Sequence, residues 1–276
     1  MRIDAHQHFW NYTRDAADYG WMTDPKMQVD RSPGDLAPLL AAEGFDGCVA
    51  VQARARREET DSLLRIADEH AFVKGVVGWL DLTDPDVGAM LDAYADAPRL
   101  KGLRMLIHDE PADDFAASPA HVHGVSMLAA HGLTYDLLLR PRHIPAAIAL
   151  VDRCPDQAFV VDHIAKPDLT LPRDEAWFDG MAELARRPNV MAKLSGLVTE
   201  ADPANWRAAP YDLYLDRTLD LFGPERLMFG SDWPVSAATA PYDAVHALVA
   251  DWARRLGEGE RAAIFGETAR RFYGLG

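Results

Sequence analysis

His6 and His8 flank Gln7 in the opening run Ile3-Asp4-Ala5-His6-Gln7-His8-Phe9-Trp10. On an extended strand, side chains two apart share a face, so both imidazoles point the same way, with Asp4 below them. Two imidazoles on one face can hold a divalent metal ion or donate hydrogen bonds to a carbonyl oxygen. Two more titratable groups stand where apolar runs give way to loops: His163 in Val160-Val161-Asp162-His163, and Asp232 in Gly230-Ser231-Asp232-Trp233-Pro234. Pro234 has no N–H for a sheet ladder, which leaves Asp232 at the strand tip. A tip carboxylate serves as metal ligand, general base or helix cap; near three histidines, base or ligand is expected. Arg104 interrupts the apolar run Gly102-Leu103-Arg104-Met105. A buried guanidinium needs an anionic or carbonyl partner, either a substrate or a structural carboxylate. Gln52, Trp79, Asp136 and Lys193 are further polar or amphipathic residues near strand ends.

A second pair, His121-Val122-His123, follows Ser118-Pro119, a helix cap and first turn. Residues two apart on a helix face nearly opposite sides. This pair therefore does not chelate and is placed on a helix surface. There is no Gly-x-Gly-x-x-Gly after a strand, no phosphate-binding loop and no Gly-x-Ser-x-Gly elbow, which argues against dinucleotide redox, nucleotide hydrolysis and serine-hydrolase chemistry.

Eight short runs rich in Val, Ile, Leu and Met can position these groups: Arg2–His8, Gly47–Gln52, Val73–Leu80, Leu100–Leu106, Leu133–Leu139, Phe159–Ile164, Val190–Ser195 and Arg226–Asp232. Their starts lie about 32 residues apart, roughly one βα unit each. Helical patterns fill the gaps over Asp35–Glu43, Glu58–His70, Pro85–Tyr94, Ala120–Ala130, Ile144–Asp152, Asp174–Arg186, Tyr211–Phe222 and Tyr242–Leu256, with a last helix over Glu258–Phe272. Gly132 and Gly223 fall where helix C-caps belong. Eight strands alternating with helices predict a (β/α)8 TIM barrel rather than an open doubly wound sheet. No linker or shift in composition divides the chain, so residues 1–276 form a single domain. Two connections are long, Asn11–Pro33 and His108–Pro119. The first carries Trp10, Tyr12, Tyr19 and Trp21, either a wall of the active site or a cover on the barrel end.

The chain has 276 residues, 49% hydrophobic and 26% charged, values that exclude a disordered chain, a collagen-like fibre and a disulfide scaffold. A net charge of −15 opposes nucleic-acid binding. The basic clusters Arg54-Ala55-Arg56-Arg57 and Arg140-Pro141-Arg142 are short and read as solvated charge. Only two cysteines are present, Cys48 and Cys154, with no apolar leader and no run long enough to span a bilayer. A reduced, cytoplasmic, soluble protein with no membrane partner is expected, as monomer or homo-oligomer, with Cys48 as a small core residue.

The opening run, Val161-Asp162-His163-Ile164-Ala165-Lys166-Pro167, Lys193-Leu194-Ser195-Gly196 and Met228-Phe229-Gly230-Ser231-Asp232-Trp233-Pro234 together resemble the amidohydrolase superfamily, in its lactonase-type branch, often labelled amidohydrolase 2. The likeness runs from the first strand to the last. It implies a metal-dependent-hydrolase-like barrel. It also implies hydrolysis of a sugar-acid lactone, such as L-fucono-1,5-lactone or a related 6-deoxy or pentono lactone. His6 and His8 match the first-strand histidines, His163 the sixth-strand histidine and Asp232 the eighth-strand aspartate. These four form the implied metal set. Binuclear members use a carboxylated lysine or a glutamate on the fourth strand, where Arg104 stands here. Many members have a fifth-strand histidine, where Tyr135-Asp136-Leu137 stands. One divalent ion, zinc, or no ion is then implied.

In the implied reaction, Asp232 takes a proton from water and later passes it to the leaving ring oxygen. Arg104, His163 or a metal ion stabilises the oxyanion. Gln52 and Lys193 meet the lactone hydroxyls, and Trp79 or the first-loop aromatics stack on its ring. Two other readings compete: metal-dependent non-oxidative decarboxylation of an aromatic or muconate-type acid, with Arg104 clamping the carboxylate, and a non-catalytic sugar-acid binding barrel.

Overall fold

The computed structural model describes residues 1–276. Eight parallel strands follow one another around a single sheet: β1 (Ile3–Gln7), β2 (Gly47–Val51), β3 (Val73–Gly78), β4 (Leu100–Met105), β5 (Thr134–Leu137), β6 (Phe159–Val161), β7 (Val190–Leu194) and β8 (Leu227–Phe229). All eight expected strands form. The sixth and eighth stop short of their apolar runs because the backbone turns left-handed beyond them, at His163 (φ 54°) and Asp232 (φ 56°). The seam between β1 and β8 closes through one bridge, Gln7 to Trp233. There the Asp232 N–H donates to the His6 carbonyl at 2.8 Å and the His8 N–H donates to the Trp233 carbonyl at 2.7 Å.

The helices are α1 (Tyr12–Asp15), α2 (Pro33–Ala42), α3 (Arg57–Glu69), α4 (Val87–Asp92), α5 (Pro119–Leu128), α6 (Ile144–Arg153), α7 (Glu175–Leu184), α8 (Tyr211–Phe222), α9 (Tyr242–Trp252), α10 (Glu258–Ala262) and α11 (Thr268–Phe272). Gly132 adopts φ 68° at the end of the short 3₁₀ turn Ala129–His131 that follows α5. The single last helix expected over Glu258–Phe272 is broken: a π-turn over Ala263–Glu267 separates α10 from α11. Gly266 presses there against the backbone of Met1 and Arg2, leaving no room for a Cβ.

Apolar side chains of Ile3, Ala5, Val49, Val51, Val77, Val160 and Met228 fill the lower barrel, and Tyr273 and Leu275 plug it from the C-terminus. A larger core packs the outer strand faces against the helices. This layering corrects the expected face of Asp4. The β1 register shifts between Asp4 and Gln7. Asp4 points outward, accepting from Tyr242 of α9 at 3.0 Å and from the Ser231 N–H at 2.9 Å. Gln7 also points outward, to Cys48 at 3.3 Å. The irregularity leaves His6 inside, above Ala5, instead of on the face of Asp4.

Two other expectations change. Arg54 is not solvated: it is buried, 2.5 Å from Glu59, 3.0 Å from Asp15 and 3.1 Å from Asp18. His121 is not on a surface; it is buried, with Nδ1 2.9 Å from the Ala116 carbonyl and Nε2 2.8 Å from the Tyr135 hydroxyl, while His123 is exposed. Helical spacing separates the pair as expected, but α5 turns the His121 side inward. Both cysteines are buried and unpaired, and no helix is long and apolar enough to cross a membrane.

Candidate active site

At the C-terminal ends of the strands lies a cavity of about 310 Å³, with His8, Arg104, His163, Lys166, Glu200 and Asp232 among its lining. The mouth is where barrel enzymes assemble loops for chemistry. At its floor, three imidazoles face one carboxylate oxygen. Asp232 Oδ1 is 3.3 Å from His8 Nε2, 3.8 Å from His163 Nε2 and 3.9 Å from His6 Nε2. All four residues are buried.

The imidazoles have polar partners of their own away from Asp232. His8 Nδ1 lies 2.8 Å from the Val51 carbonyl, so it carries an N–H. His6 Nε2 is 3.3 Å from the Arg104 guanidinium, which only donates. His6 Nδ1 lies 3.3 Å from Asp162 and 3.2 Å from the Lys193 ammonium. His163 Nδ1 is 2.8 Å from the Ser195 hydroxyl. Burial holds the pKa of His6 and of His163 well below the usual histidine value, and both are neutral at pH 7. Burial pushes Asp232 the other way, but His163, His8 and Lys166 outweigh it and hold the carboxyl below its usual range. Asp232 Oδ1 thus lies among nitrogens of three imidazoles, a grouping that suits a shared cation. Three imidazoles and one carboxylate are a zinc donor set, and each imidazole has an outer partner to orient it. Two overlapping triads satisfy metal spacing: His6, His8 and Asp232, and His6, Asp162 and His163.

Beneath this floor runs a buried charged layer. Arg104 donates to Asp162 at 2.9 Å and to the Gln52 carbonyl at 2.5 Å. Its partner is therefore a structural carboxylate, although the side chain still lines the cavity. Lys193 Nζ lies 2.5 Å from Asp136, 3.0 Å from Asp162 and 3.2 Å from His6 Nδ1. Burial alone would raise Asp162, but Lys193, His6 and Arg104 hold its carboxyl well below the usual range. Tyr273 closes the layer from below, donating to Asp136 at 2.8 Å.

The structure thus brings His6, His8, His163, Asp232 and Arg104 together. Three expected substrate contacts lie outside the cavity lining. Lys193 is fully buried below the floor, because its long side chain points into the barrel and meets two carboxylates. Gln52 is also fully buried, donating to the Arg104 carbonyl at 3.1 Å. Trp79 sits beside α3, its backbone N–H donating to Thr60 Oγ1 at 2.8 Å. Of the first-loop aromatics, Trp21 lines the cavity while Trp10 and Tyr19 pack in a separate cluster.

Sequence reasoning missed Lys166, Glu200 and His108 in the lining and Asp162 beneath it. Lys166 and Asp162 had a local signal: both stand in the run that carries His163. The segment from His163 to Lys166 keeps φ positive at every residue (54°, 44°, 60° and 51°) without a glycine. Left-handed backbone costs ~1–2 kcal/mol per L-residue, and such strain gathers at functional sites. The Ile164 carbonyl, held at 2.5 Å by the indole N–H of Trp177, helps to retain it. The turn places both His163 and Lys166 in the cavity wall.

The amidohydrolase family of type 2 matches residues 3–275 of the chain. The L-fucono-1,5-lactonase of Burkholderia ambifaria is 40% identical over 99% of this chain and 95% of its own length. The protein of the same name from Burkholderia multivorans is 41% identical over 100% and 96%. A crystal structure of an amidohydrolase from Burkholderia multivorans with bound zinc superposes with a TM-score of 0.93, at 40% identity over the whole of both chains.

Proposed function

The chain belongs to the amidohydrolase family, and we propose that within it the protein is a hydrolase that opens sugar-acid lactones, L-fucono-1,5-lactone or a related 6-deoxy or pentono lactone, to the aldonic acid. The convergence of three imidazoles and Arg104 around the ionised Asp232, at the floor of a cavity of about 310 Å³, carries this reading. The two lactonase relatives supply the substrate class.

Asp232 is the base. Its carboxyl stays ionised below neutral pH, so it accepts the proton of the attacking water and returns it to the ring oxygen as the C–O bond breaks. Arg104 and His163, both in the cavity lining, are the groups we assign to the oxygen that gains charge. His6, His8, His163 and Asp232 would hold one divalent ion, which we take to be zinc. When bound, the ion supplies Lewis acidity and lowers the pKa of water to about 7. Arg104 occupies the fourth-strand position where a second ion would need an anionic bridge. Decarboxylation is not favoured, because the relatives at 40–41% identity over nearly the whole chain are lactonases. The two unpaired cysteines support a reducing compartment, which we take to be the cytoplasm.

A panel of sugar 1,4- and 1,5-lactones with a pH indicator, with added zinc and with chelator, tests the reading. Acid release from 6-deoxy-L-sugar lactones is expected. Silence across the panel in both conditions would remove it.

A further inference from the structure

The cavity lining combines apolar and charged side chains. The loop after β1 brings Trp21 and Met27, and the turn after β8 brings Val235, all apolar. The loops after β6 and β7 bring Lys166 and Glu200, which form an ion pair of 2.7 Å with side chains only 12% and 14% exposed. The left-handed turn holds Lys166 on this wall (φ 51°), and Glu200 ends a short 3₁₀ turn over Leu197–Glu200. The ammonium has three N–H donors and spends one on Glu200 Oε1. The second oxygen, Oε2, has only Arg140 near it, at 3.7 Å, beyond hydrogen-bond reach. Side by side, then, stand two unspent donors and a carboxylate oxygen free to accept.

That pairing has a specific complement. One hydroxyl of a vicinal diol accepts from the ammonium through its oxygen, while its neighbour donates its O–H to the carboxylate. Both bonds are charge-assisted. A lone anion would be repelled by Glu200 and a lone cation by Lys166, whereas a neutral diol satisfies both. The apolar Trp21, Met27 and Val235 in the same lining suit the exocyclic methyl group of a 6-deoxy lactone.

We propose that the Lys166–Glu200 pair is the specificity-determining element of the site and reads two adjacent ring hydroxyls of the lactone, with the C6 methyl turned to Trp21, Met27 and Val235. The inference rests on the lactonase reading and narrows it to polyhydroxylated, 6-deoxy rings. A site built to pair with substrate hydroxyls discriminates strongly against analogues that lack them, because its own polar groups are then left unpaired.

The test compares kcat/KM for L-fucono-1,5-lactone and for δ-valerolactone, which has the ring and the ester but no hydroxyls. The enzymes are the wild type, Lys166→Met and Glu200→Gln. Glu200→Gln keeps the side-chain shape and serves if Lys166→Met does not fold. The ratio of the two kcat/KM values is expected to favour the sugar lactone in the wild type and to fall at least tenfold in each variant. An unchanged ratio, with both lactones losing rate equally, would overturn the role of the pair and leave the lactonase reading in place. A wild type that opens neither lactone would overturn both.

Discussion

The backbone N–H of Asp232 donates to the carbonyl of His6 at 2.8 Å, across the seam where the first and last strands of the barrel meet. The proposed base and a proposed metal ligand, at opposite ends of the sequence, thus share one hydrogen bond. Closing the barrel and assembling the site are the same event. A substitution that changes only the Asp232 carboxylate leaves this bond intact and tests chemistry apart from folding.

Asp232→Asn is therefore expected to fold and to lose at least ~100-fold in kcat, the low end for a general base. Circular dichroism and melting temperature should match the wild type. Near-normal turnover would remove Asp232 from the base role.

Metal content answers a separate question. The purified protein is expected to carry about one zinc per chain, measured by elemental analysis. His8→Ala should lose both the ion and the activity, because it removes one donor from the set. If exhaustive chelation strips the ion and leaves the rate unchanged, the imidazoles act as hydrogen-bonding groups instead.

Lys193 is fully buried between Asp136 and Asp162. Lys193→Met would leave two carboxylates facing each other without their shared cation. Breaking a buried pair on one side costs about 3–5 kcal/mol. Chemical denaturation should show that loss. A variant as stable as the wild type would mean that Arg104 alone neutralises the layer.

Tyr273 gives Asp136 its other donor, at 2.8 Å. Tyr273→Phe keeps the plug in the barrel but leaves that carboxylate short of one hydrogen bond, a cost of about 1–3 kcal/mol. A stability change below a few tenths of a kcal/mol would show the hydroxyl to be dispensable.

His121 should make stability depend on pH. Burial lowers its pKa below the ordinary value of 6.5, so the unfolded chain binds a proton there before the folded chain does. Stability from the neutral form is fully present above the unfolded pKa of 6.5 and is lost as pH falls from there through the lower folded value. His121→Gln, which can still bond the Tyr135 hydroxyl, should flatten that part of the profile. An unaltered slope between wild type and variant would place the acid sensitivity elsewhere.

The barrel and most of the site were legible in the chain itself. Alternation of apolar runs with helical stripes is a local property, and so is the placement of His6, His8, His163 and Asp232 at strand ends, marked by Pro234 and by the loss of apolar pattern. Tertiary structure decided where those side chains point and what surrounds them. Strict alternation puts Asp4 on the histidine face, but pairing with β2 introduces the shift that turns Asp4 toward Tyr242. Lys193 and Gln52 stand near strand ends as a binding residue would, yet both are buried outside the lining, and Lys193 pairs with carboxylates from β5 and from the turn after β6. Lys166 and Glu200 meet only because four left-handed residues carry one toward the loop that carries the other. Periodicity follows from neighbours along the chain, whereas register, burial of charge and the tolerance of strained backbone depend on partners that folding alone brings near.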